Sequence, residues 1–328
     1  HFLSYFSELE KSQWFSEDRI KEIQWQKLKN LLNHSFKNVP YYKNIFQKLG
    51  ITPENIKTEQ DFAKLPLLTK KDVQTNLSDL ISRTHDIKEL VKNASGGSTG
   101  EPTIFYQDLG RNDLRKSCVL RHDSWTGWNM SEKTSLIWGA DRDFSNKTNI
   151  KSKIHNLLIS RKIWLNAFDL SQAKIILYAD VLRKYKPTLI IGYSNALYTF
   201  FKVLKDKKIS IPQPKGIIAT AETLFSWQRD MIENVSGTRV FNRYGSREVG
   251  LICSECDNHS GMHINAENIY IECLKNGKPA TPGETGDVVV TDLLNYGMPL
   301  IRYNMDDIAS FSDKICACGR GLPLITKV

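Results

Sequence analysis

Ser95-Gly96-Gly97-Ser98-Thr99-Gly100-Glu101-Pro102-Thr103 sets three glycines among hydroxyl side chains within nine positions. Glycine lets the backbone come close to an anion and turn its N–H groups toward it, and serine and threonine hydroxyls add further donors. The segment therefore suits a phosphate. It is not a Walker A loop, because Gly100 is followed by Glu101 where that loop needs Lys and then Ser or Thr. Nor does it match the dinucleotide-binding fingerprint.

Upstream, Ile20, Ile23, Leu28, Leu31 and Leu32 recur at helical spacing between Glu8 and Lys48, and Val39-Pro40 interrupts the run. This predicts a helical lead-in over residues 1–90 packed on a core over 91–328, with a helix N-cap at Thr69 of Leu68-Thr69-Lys70-Lys71-Asp72. Downstream, the short apolar runs Ser135 to Trp138, Thr188 to Ile191 and Gly216 to Ala219 alternate with helix-patterned stretches at Ser171 to Tyr185 and Ser194 to Lys205. Such alternation predicts an α/β fold with layered sheets and helices. From Gly237 the chain turns β-rich, with strands expected at Ile269 to Cys273, Asp287 to Thr291 and Leu300 to Tyr303.

The 328 residues carry a net charge of +9, with 41% hydrophobic and 25% charged side chains. That composition describes a globular chain with a substantial core. The lysines, such as Lys202, Lys205, Lys207 and Lys208, are scattered along exposed-looking helical stretches, and no arginine-rich block appears. A negatively charged small substrate is therefore a better partner than nucleic acid. No apolar run approaches a membrane span or the core of a signal peptide, so a cytoplasmic location is expected. Oligomeric state is not set by these features.

Two later segments join the loop. Asn242-Arg243-Tyr244-Gly245-Ser246-Arg247-Glu248 follows the β-rich transition, and Met298-Pro299-Leu300-Ile301-Arg302-Tyr303-Asn304-Met305-Asp306-Asp307 ends in paired carboxylates. In this order the three resemble the adenylate-forming superfamily, with its Ser/Thr/Gly-rich loop ending in Gly-Lys-Pro, its Tyr-Gly-x-Thr-Glu element and its Arg-Tyr-x-x-x-Asp run. With Val39-Pro40-Tyr41-Tyr42 and Cys316-Ala317-Cys318-Gly319-Arg320-Gly321-Leu322-Pro323 added, the resemblance narrows to the phenylacetate–coenzyme A ligase group and its capsule-polysaccharide-biosynthesis-type members.

This resemblance covers nearly the whole chain and implies the large N-terminal domain of such a ligase. It implies ATP-dependent conversion of a carboxylic acid to its acyl-AMP, with release of pyrophosphate, then transfer to coenzyme A or to an amine. Ser95, Gly96, Gly97, Ser98, Thr99 and Gly100 would hold the phosphates. Tyr244 and Gly245 would lie against the adenine, in one element with Asn242, Arg243 and Ser246, and Ala221 and Glu222 would line the adenine pocket. Glu248 would act in catalysis by holding Mg²⁺. Asp307 would accept the ribose hydroxyls, with Asp306 as the fallback. The sequence departs from the pattern at Glu101, in place of Lys, and at Arg247, in place of Thr. The acid pocket is expected near aromatic residues such as Trp138, Tyr193 and Tyr244, without assigned specificity. Members commonly continue into a small C-terminal lid that carries a catalytic lysine. It falls beyond Lys327, so this chain alone is expected to bind nucleotide and turn over poorly.

Cys253-x-x-Cys256 and Cys316-x-Cys318 form two knuckles, with His259 and His263 beside the first. Soft thiolates with imidazole select zinc, and a closed tetrahedral site is structural. Six donors compete for four positions, and spacing alone favours the four thiolates. Zinc-bearing relatives in the resembled group imply Cys256, His263, Cys316 and Cys318, with Cys253 and His259 as alternates. Cys118 and Cys273 sit in apolar surroundings and read as core. Two rival functions are an inactive homologue acting as a nucleotide-binding or scaffold subunit, and a zinc-ribbon nucleic-acid binder. The ribbon accounts for none of the three nucleotide motifs.

Overall fold

A computed structural model describes residues 2–95, 102–139 and 161–328. The chain divides into two compact units: His1–Arg121 with Gly245–Cys253 and Ser260–Val328, and His122–Tyr244 with Ser254–His259.

The first unit opens with helices α1 (Phe2–Ser12), α2 (Glu17–Asn38) and α3 (Pro40–Leu49). In α2 the Ser16 side chain accepts from the Arg19 N–H, Glu17 and Asp18 fill the first turn, and Ile20, Leu28, Leu31 and Leu32 form the buried stripe. Val39-Pro40 separates α2 from α3, and Pro40 occupies the first turn of α3, where its missing N–H costs nothing. Short helices α4 (Glu59–Phe62), α5 (Lys70–Thr75) and α6 (Leu77–Leu80) follow. Thr69 caps α5 in a reciprocal box with Asp72: the Asp72 N–H donates to Thr69 Oγ1 at 3.2 Å and the Thr69 N–H to Asp72 Oδ2 at 2.9 Å. Thr69→Ala is expected to lower stability by about 1 kcal/mol in urea unfolding, the usual worth of such a cap.

The β-part of this unit comprises β8 (Gly250–Glu255, whose last residues fall in the second unit), β9 (Met262–Ile264), β10 (Ile269–Lys275), β11 (Lys278–Pro279), β12 (Thr285–Asp292), β13 (Tyr303–Ser312) and β14 (Leu324–Lys327). The order β11-β10-β12-β13-β14-β9 is antiparallel throughout. Leu300 and Ile301 lie outside any strand, which corrects the expected start of β13. The cause is Arg302, whose φ of 52° turns the chain before Tyr303. Its guanidinium is buried, donates to both Glu272 oxygens at 2.9 and 3.0 Å, and also bonds the carbonyls of Ala63 and Leu65. Leu68 then bridges to Tyr303, so this arginine staples the helical lead-in to β10 and β13.

A second buried pair joins Arg121, near the end of α7 (Leu109–Ser124), to Glu267 at 2.5 Å, with Asn265 and Ser12 completing the hydrogen bonds. Such a pair gives little net stability, but removing one partner strands a buried charge.

The second unit is a parallel sheet. β3 (Thr134–Trp138), β4 (Lys162–Asn166), β5 (Leu189–Tyr193), β6 (Gly216–Thr220) and β7 (Val240–Ser246, whose last two residues fall in the first unit) lie in the order β4-β3-β5-β6-β7. Helices α8 (Gln172–Tyr185), α9 (Ser194–Asp206) and α10 (Ser226–Ser236) make the crossovers. Ile190, Leu197, Phe200, Phe201, Ile217 and Ile232 form part of the core. Central parallel strands are covered on both faces, which is why β5 and β6 read as unbroken apolar runs. No helix among the described residues is long and apolar enough to cross a membrane.

Candidate active site and metal centre

In parallel sheets the carboxyl ends of the strands collect ligand-binding groups, because loops and helix N-termini converge there. In the second unit Trp138 ends β3 and Tyr193 ends β5, with ring centroids 4.5 Å apart. After β6 the chain turns at Ala221, a non-glycine residue at φ 66°. That turn carries Glu222 back to α9, where its carboxylate accepts from the Asn195 N–H at 2.8 Å and its carbonyl from Ser194 Oγ at 3.0 Å. Glu222 thus anchors the start of α9 through its positive end.

On β7, Arg243 is buried and pairs with Asp123 at 2.6 Å. The alternation of a strand sends its neighbours Asn242 and Tyr244 to the other face, and both are half-buried. The Asn242 N–H donates to Glu255 at 2.7 Å. Glu255 also receives both Arg229 bonds, at 2.8 and 3.0 Å, and His259 Nδ1 at 3.2 Å. Burial alone would raise this carboxyl, yet His259, Arg229 and the Asn242 N–H together hold it below the usual carboxylate range. A depressed carboxyl stabilises the fold fully above its unfolded value of 4.5 and loses that contribution as pH falls through the lower folded value. Urea midpoints measured from neutral pH downward are therefore expected to drop below about pH 4.5, and Glu255→Gln to flatten the drop.

In the first unit, β1 (Val91–Ala94) and β2 (Ile104–Gln107) form an antiparallel hairpin in register Ala94↔Ile104. The Ser95 N–H donates to the Thr103 carbonyl at 3.0 Å, and the Thr103 N–H to Ser95 Oγ at 2.9 Å. These bonds close the neck of the loop. Gly96, Gly97, Ser98, Thr99 and Gly100 lie outside the described residues.

The Ser246–Glu248 turn is held from its backbone. Gln107 Nε2 donates to the carbonyls of Arg247 and Glu248, each at 3.1 Å, Arg111 Nη2 donates to the Glu248 carbonyl at 3.1 Å, and Ser246 Oγ accepts from the Val249 N–H at 3.3 Å. Gly245 is required by close approach: a Cβ there would stand 2.5 Å from the Gly250 carbonyl oxygen. Glu248 is 8% exposed. Burial, with the charges of Glu248 and Asp306, pushes the Tyr303 phenol above its usual value, and its buried hydroxyl has no hydrogen-bond partner among the described residues. Asp306, at φ 58°, pairs with Lys70 at 2.9 Å, while Asp307 is exposed on β13.

The ligand atoms of Cys256, His263, Cys316 and Cys318 all lie within 4.8 Å of one another. His263 Nδ1 donates to the Leu322 carbonyl at 3.0 Å, which makes Nε2 the unprotonated ring nitrogen, 3.3 Å from Cys318 Sγ. The Arg320 N–H points at Cys318 Sγ from 3.4 Å, and Ser260 Oγ is 3.2 Å from Cys316 Sγ. A tetrahedral zinc with these donors needs ligand atoms about 3.5–3.8 Å apart, which follows from its ~2.0–2.3 Å bonds. His259 faces Glu255 and Arg229 instead, and Cys253 Sγ lies 3.9 Å from the Met262 sulfur.

No family model matches the chain. Protein CapK from Staphylococcus aureus is 24% identical over 311 residues, covering 90% of this chain and 64% of CapK. The phenylacetate–coenzyme A ligase of Escherichia coli K12 is 24% identical over 303 residues, covering 89% of this chain and 67% of the ligase. Among solved structures, 2-hydroxyisobutyryl-CoA ligase in complex with 2-HIB-AMP and CoA superposes with a TM-score of 0.77 at 18% identity, over 96% of this chain and 69% of that one. The chain is a relative of the phenylacetate–coenzyme A ligases, with the adenylate-forming fold. It spans about two thirds of the length of these relatives.

Against these relatives the site residues sort by what they touch. Ser95, Ser246 and Glu248 belong to one held framework in the first unit. Ala221, Glu222, Asn242 and Tyr244 lie at or near the carboxyl edge of the parallel sheet in the second. Arg243 and Glu222 make internal bonds that account for their charges. Gln107, Arg111, Arg229 and Glu255 escaped the sequence reading, because each acts on a partner more than ten residues away. A cavity of about 440 Å³ between α2 and β10 is lined by none of the candidate nucleotide-site or zinc-ligand residues.

Proposed function

We propose that the protein converts a carboxylic acid to its acyl-AMP with ATP and passes the acyl group to coenzyme A. The observation that carries this reading is the Glu248 carboxylate, presented from a turn whose backbone Gln107 and Arg111 clamp, on the very element that resembles the superfamily's nucleotide-binding motif. Relatives that are acid–coenzyme A ligases, and a structural neighbour that holds an acyl-AMP and coenzyme A, support it.

In the first step a carboxylate oxygen of the acid bonds to the α-phosphorus as the bond to the bridging β-oxygen breaks, and pyrophosphate leaves with the electron pair. In the second the thiolate of coenzyme A bonds to the acyl carbon and AMP leaves. The protein's part is positioning and charge balance. The neck closed by Ser95 and Thr103 would aim the loop's N–H groups at the phosphates, Tyr244 and Gly245 would flank the adenine, and Asp307 would accept the ribose hydroxyls. Mg²⁺ supplies positive charge at the phosphates when bound, and Glu248 is the residue that would hold it. Zinc at Cys256, His263, Cys316 and Cys318 would be structural, since four protein donors leave no position for substrate. The resemblance to capsule-type members and the similarity to CapK support a place in surface-polysaccharide biosynthesis, where an amine could replace coenzyme A as acceptor.

The test is acid-dependent ATP–pyrophosphate exchange, followed by thioester and amide formation, across aryl, fatty and amino acids. Exchange with one class of acid is expected. No exchange and no calorimetric binding of Mg-ATP or an acyl-sulfamoyl adenosine would overturn the reading. Nucleotide binding without exchange would favour a nucleotide-binding subunit.

A further inference from the structure

The parallel sheet of the second unit has two edges of opposite character. Trp138, Tyr193 and Glu222 stand at or near its carboxyl edge, whereas positive charge collects where its strands begin. Across the sheet the residues just before the five strands are, in spatial order, Arg161, Lys133, Thr188, Lys215 and Arg239. Thr134 pairs with both Lys162 and Leu189, and Leu189 with Gly216, so the first four positions stand level, about 4.8 Å from one strand to the next. The crossover helices return to the same edge, because a parallel connection must bring the chain back to the start of the next strand. Helix α8 thereby delivers Arg183, Lys184 and Lys186 there, and α9 delivers Lys205, Lys207 and Lys208. A cation in a last helical turn answers the helix dipole, which accounts for Arg183, Lys184 and Lys205. It does not account for the row at the strand starts.

With Lys162 added, eleven cations occupy this edge among the described residues, and all but Lys162 are exposed. The carboxylates beside them are four: Glu132, Asp180, Asp206 and Glu233. Most of the chain's net charge of +9 is thus gathered in one place by the fold, although the same residues lie scattered along the sequence. Three of the carboxylates are taken, Glu132 by Lys215 at 2.5 Å, Asp180 by Arg183 at 2.9 Å and Glu233 by Arg239 at 3.9 Å. The other eight cations have only Asp206 to offset them here. Lys133 lies over the Tyr185 ring, 5.2 Å from its centroid, and Arg161 donates to the Ser131 carbonyl at 2.6 Å. Both are uncharged partners, so the positive charge stays in place.

We propose that this strand-start edge docks the protein on an anionic lipid surface. The cations are mostly lysines, and a lysine is a strongly hydrated point charge without the planar fork that grips a single phosphate. A field of them suits diffuse negative charge such as that of acidic headgroups. Nucleic acid fits the edge less well. Tyr185 is half-buried with one face taken by Lys133, Trp125 and Trp128 are buried, and no exposed aromatic ring offers a stacking platform there among the described residues. Ile209 and Ile211, in the loop between Lys208 and Lys215, pack inward on the core, so they supply no apolar anchor and attachment rests on charge. Docked this way, the strands run away from the bilayer and the carboxyl edge opens to the aqueous side.

Sedimentation of the intact chain with lipid vesicles tests this without reference to catalysis. Binding is expected to phosphatidylcholine vesicles containing about 30% phosphatidylglycerol and not to phosphatidylcholine alone, and it should fall away toward about 0.5 M salt. Lys186→Gln, Lys207→Gln and Lys208→Gln combined should weaken partitioning roughly a hundredfold. The same charge removed from the helical lead-in, by Lys37→Gln, Lys43→Gln and Lys48→Gln, should weaken it by less than about threefold, because charges away from the contact are screened. Both triple variants should keep the wild-type thermal midpoint, since all six positions are exposed. No binding to the phosphatidylglycerol vesicles overturns the proposal, as does equal weakening by the two triples, which would mark overall charge and not this edge. RNA or DNA that binds more tightly than the vesicles at equal salt would also overturn it and make nucleic acid the partner.

Discussion

Cys318→Ser is expected to lower zinc content from one ion per chain to well under half and to reduce stability by at least about 3 kcal/mol, a fraction of the ~10–16 kcal/mol that zinc contributes to small finger peptides. The fraction is smaller here because β9, β13 and β14 hold His263 and the Cys316–Cys318 turn nearby by their own pairing. The thermal midpoint should fall by roughly 6–12 °C. Chelation of the wild type should reproduce the loss, since both remove the same four-way tie. Cys253→Ser should keep its zinc, because Cys253 packs on Met262 and is not among the four converging donors. His259→Gln should keep it as well and act instead on Glu255. Metal analysis with thermal unfolding reads all four proteins. A zinc-free wild type, or a Cys318→Ser protein of unchanged midpoint, would remove the site.

Glu248→Gln is expected to slow acid-dependent ATP–pyrophosphate exchange by about 10²–10³-fold, the usual effect of deleting one group that offsets charge developing in the transition state. The substitution is nearly isosteric. Gln107 and Arg111 grip the backbone of residue 248 and not its side chain, so the turn should survive and the thermal midpoint should barely move. That separation makes the result informative. Nucleotide affinity measured without Mg²⁺ should be close to wild type, while the Mg²⁺ concentration needed for exchange should rise. Exchange within about threefold of wild type would show that Glu248 does not serve the phosphates.

Local order was legible where one segment's pattern answers to its own burial. Unbroken apolar runs marked β5 and β6 because central parallel strands are covered on both sides, and the Thr69–Asp72 spacing marked a helix start because a capping box is complete within four residues. Legibility failed at Leu300 and Ile301, apolar residues buried without being a strand. Nothing local announces that Arg302 will take a left-handed φ in order to reach Glu272, Ala63 and Leu65.

The adenylate-forming fold and the existence of a thiolate-rich cluster were therefore determined by the sequence alone, through periodicity and through motifs that keep their order along the chain. Tertiary structure decided which donors converge: Cys256 and His263 with Cys316 and Cys318, more than fifty residues further on, while His259 was drawn to Glu255. It also decided that Arg302, Arg243 and the Glu222 carboxylate bind the protein's own groups, and that Arg111 stands behind Glu248. The physical reason is the same in each case. Spacing records what a residue does within its own helix or strand, whereas the partner of a charge or a thiolate is set by where distant strands bring their ends.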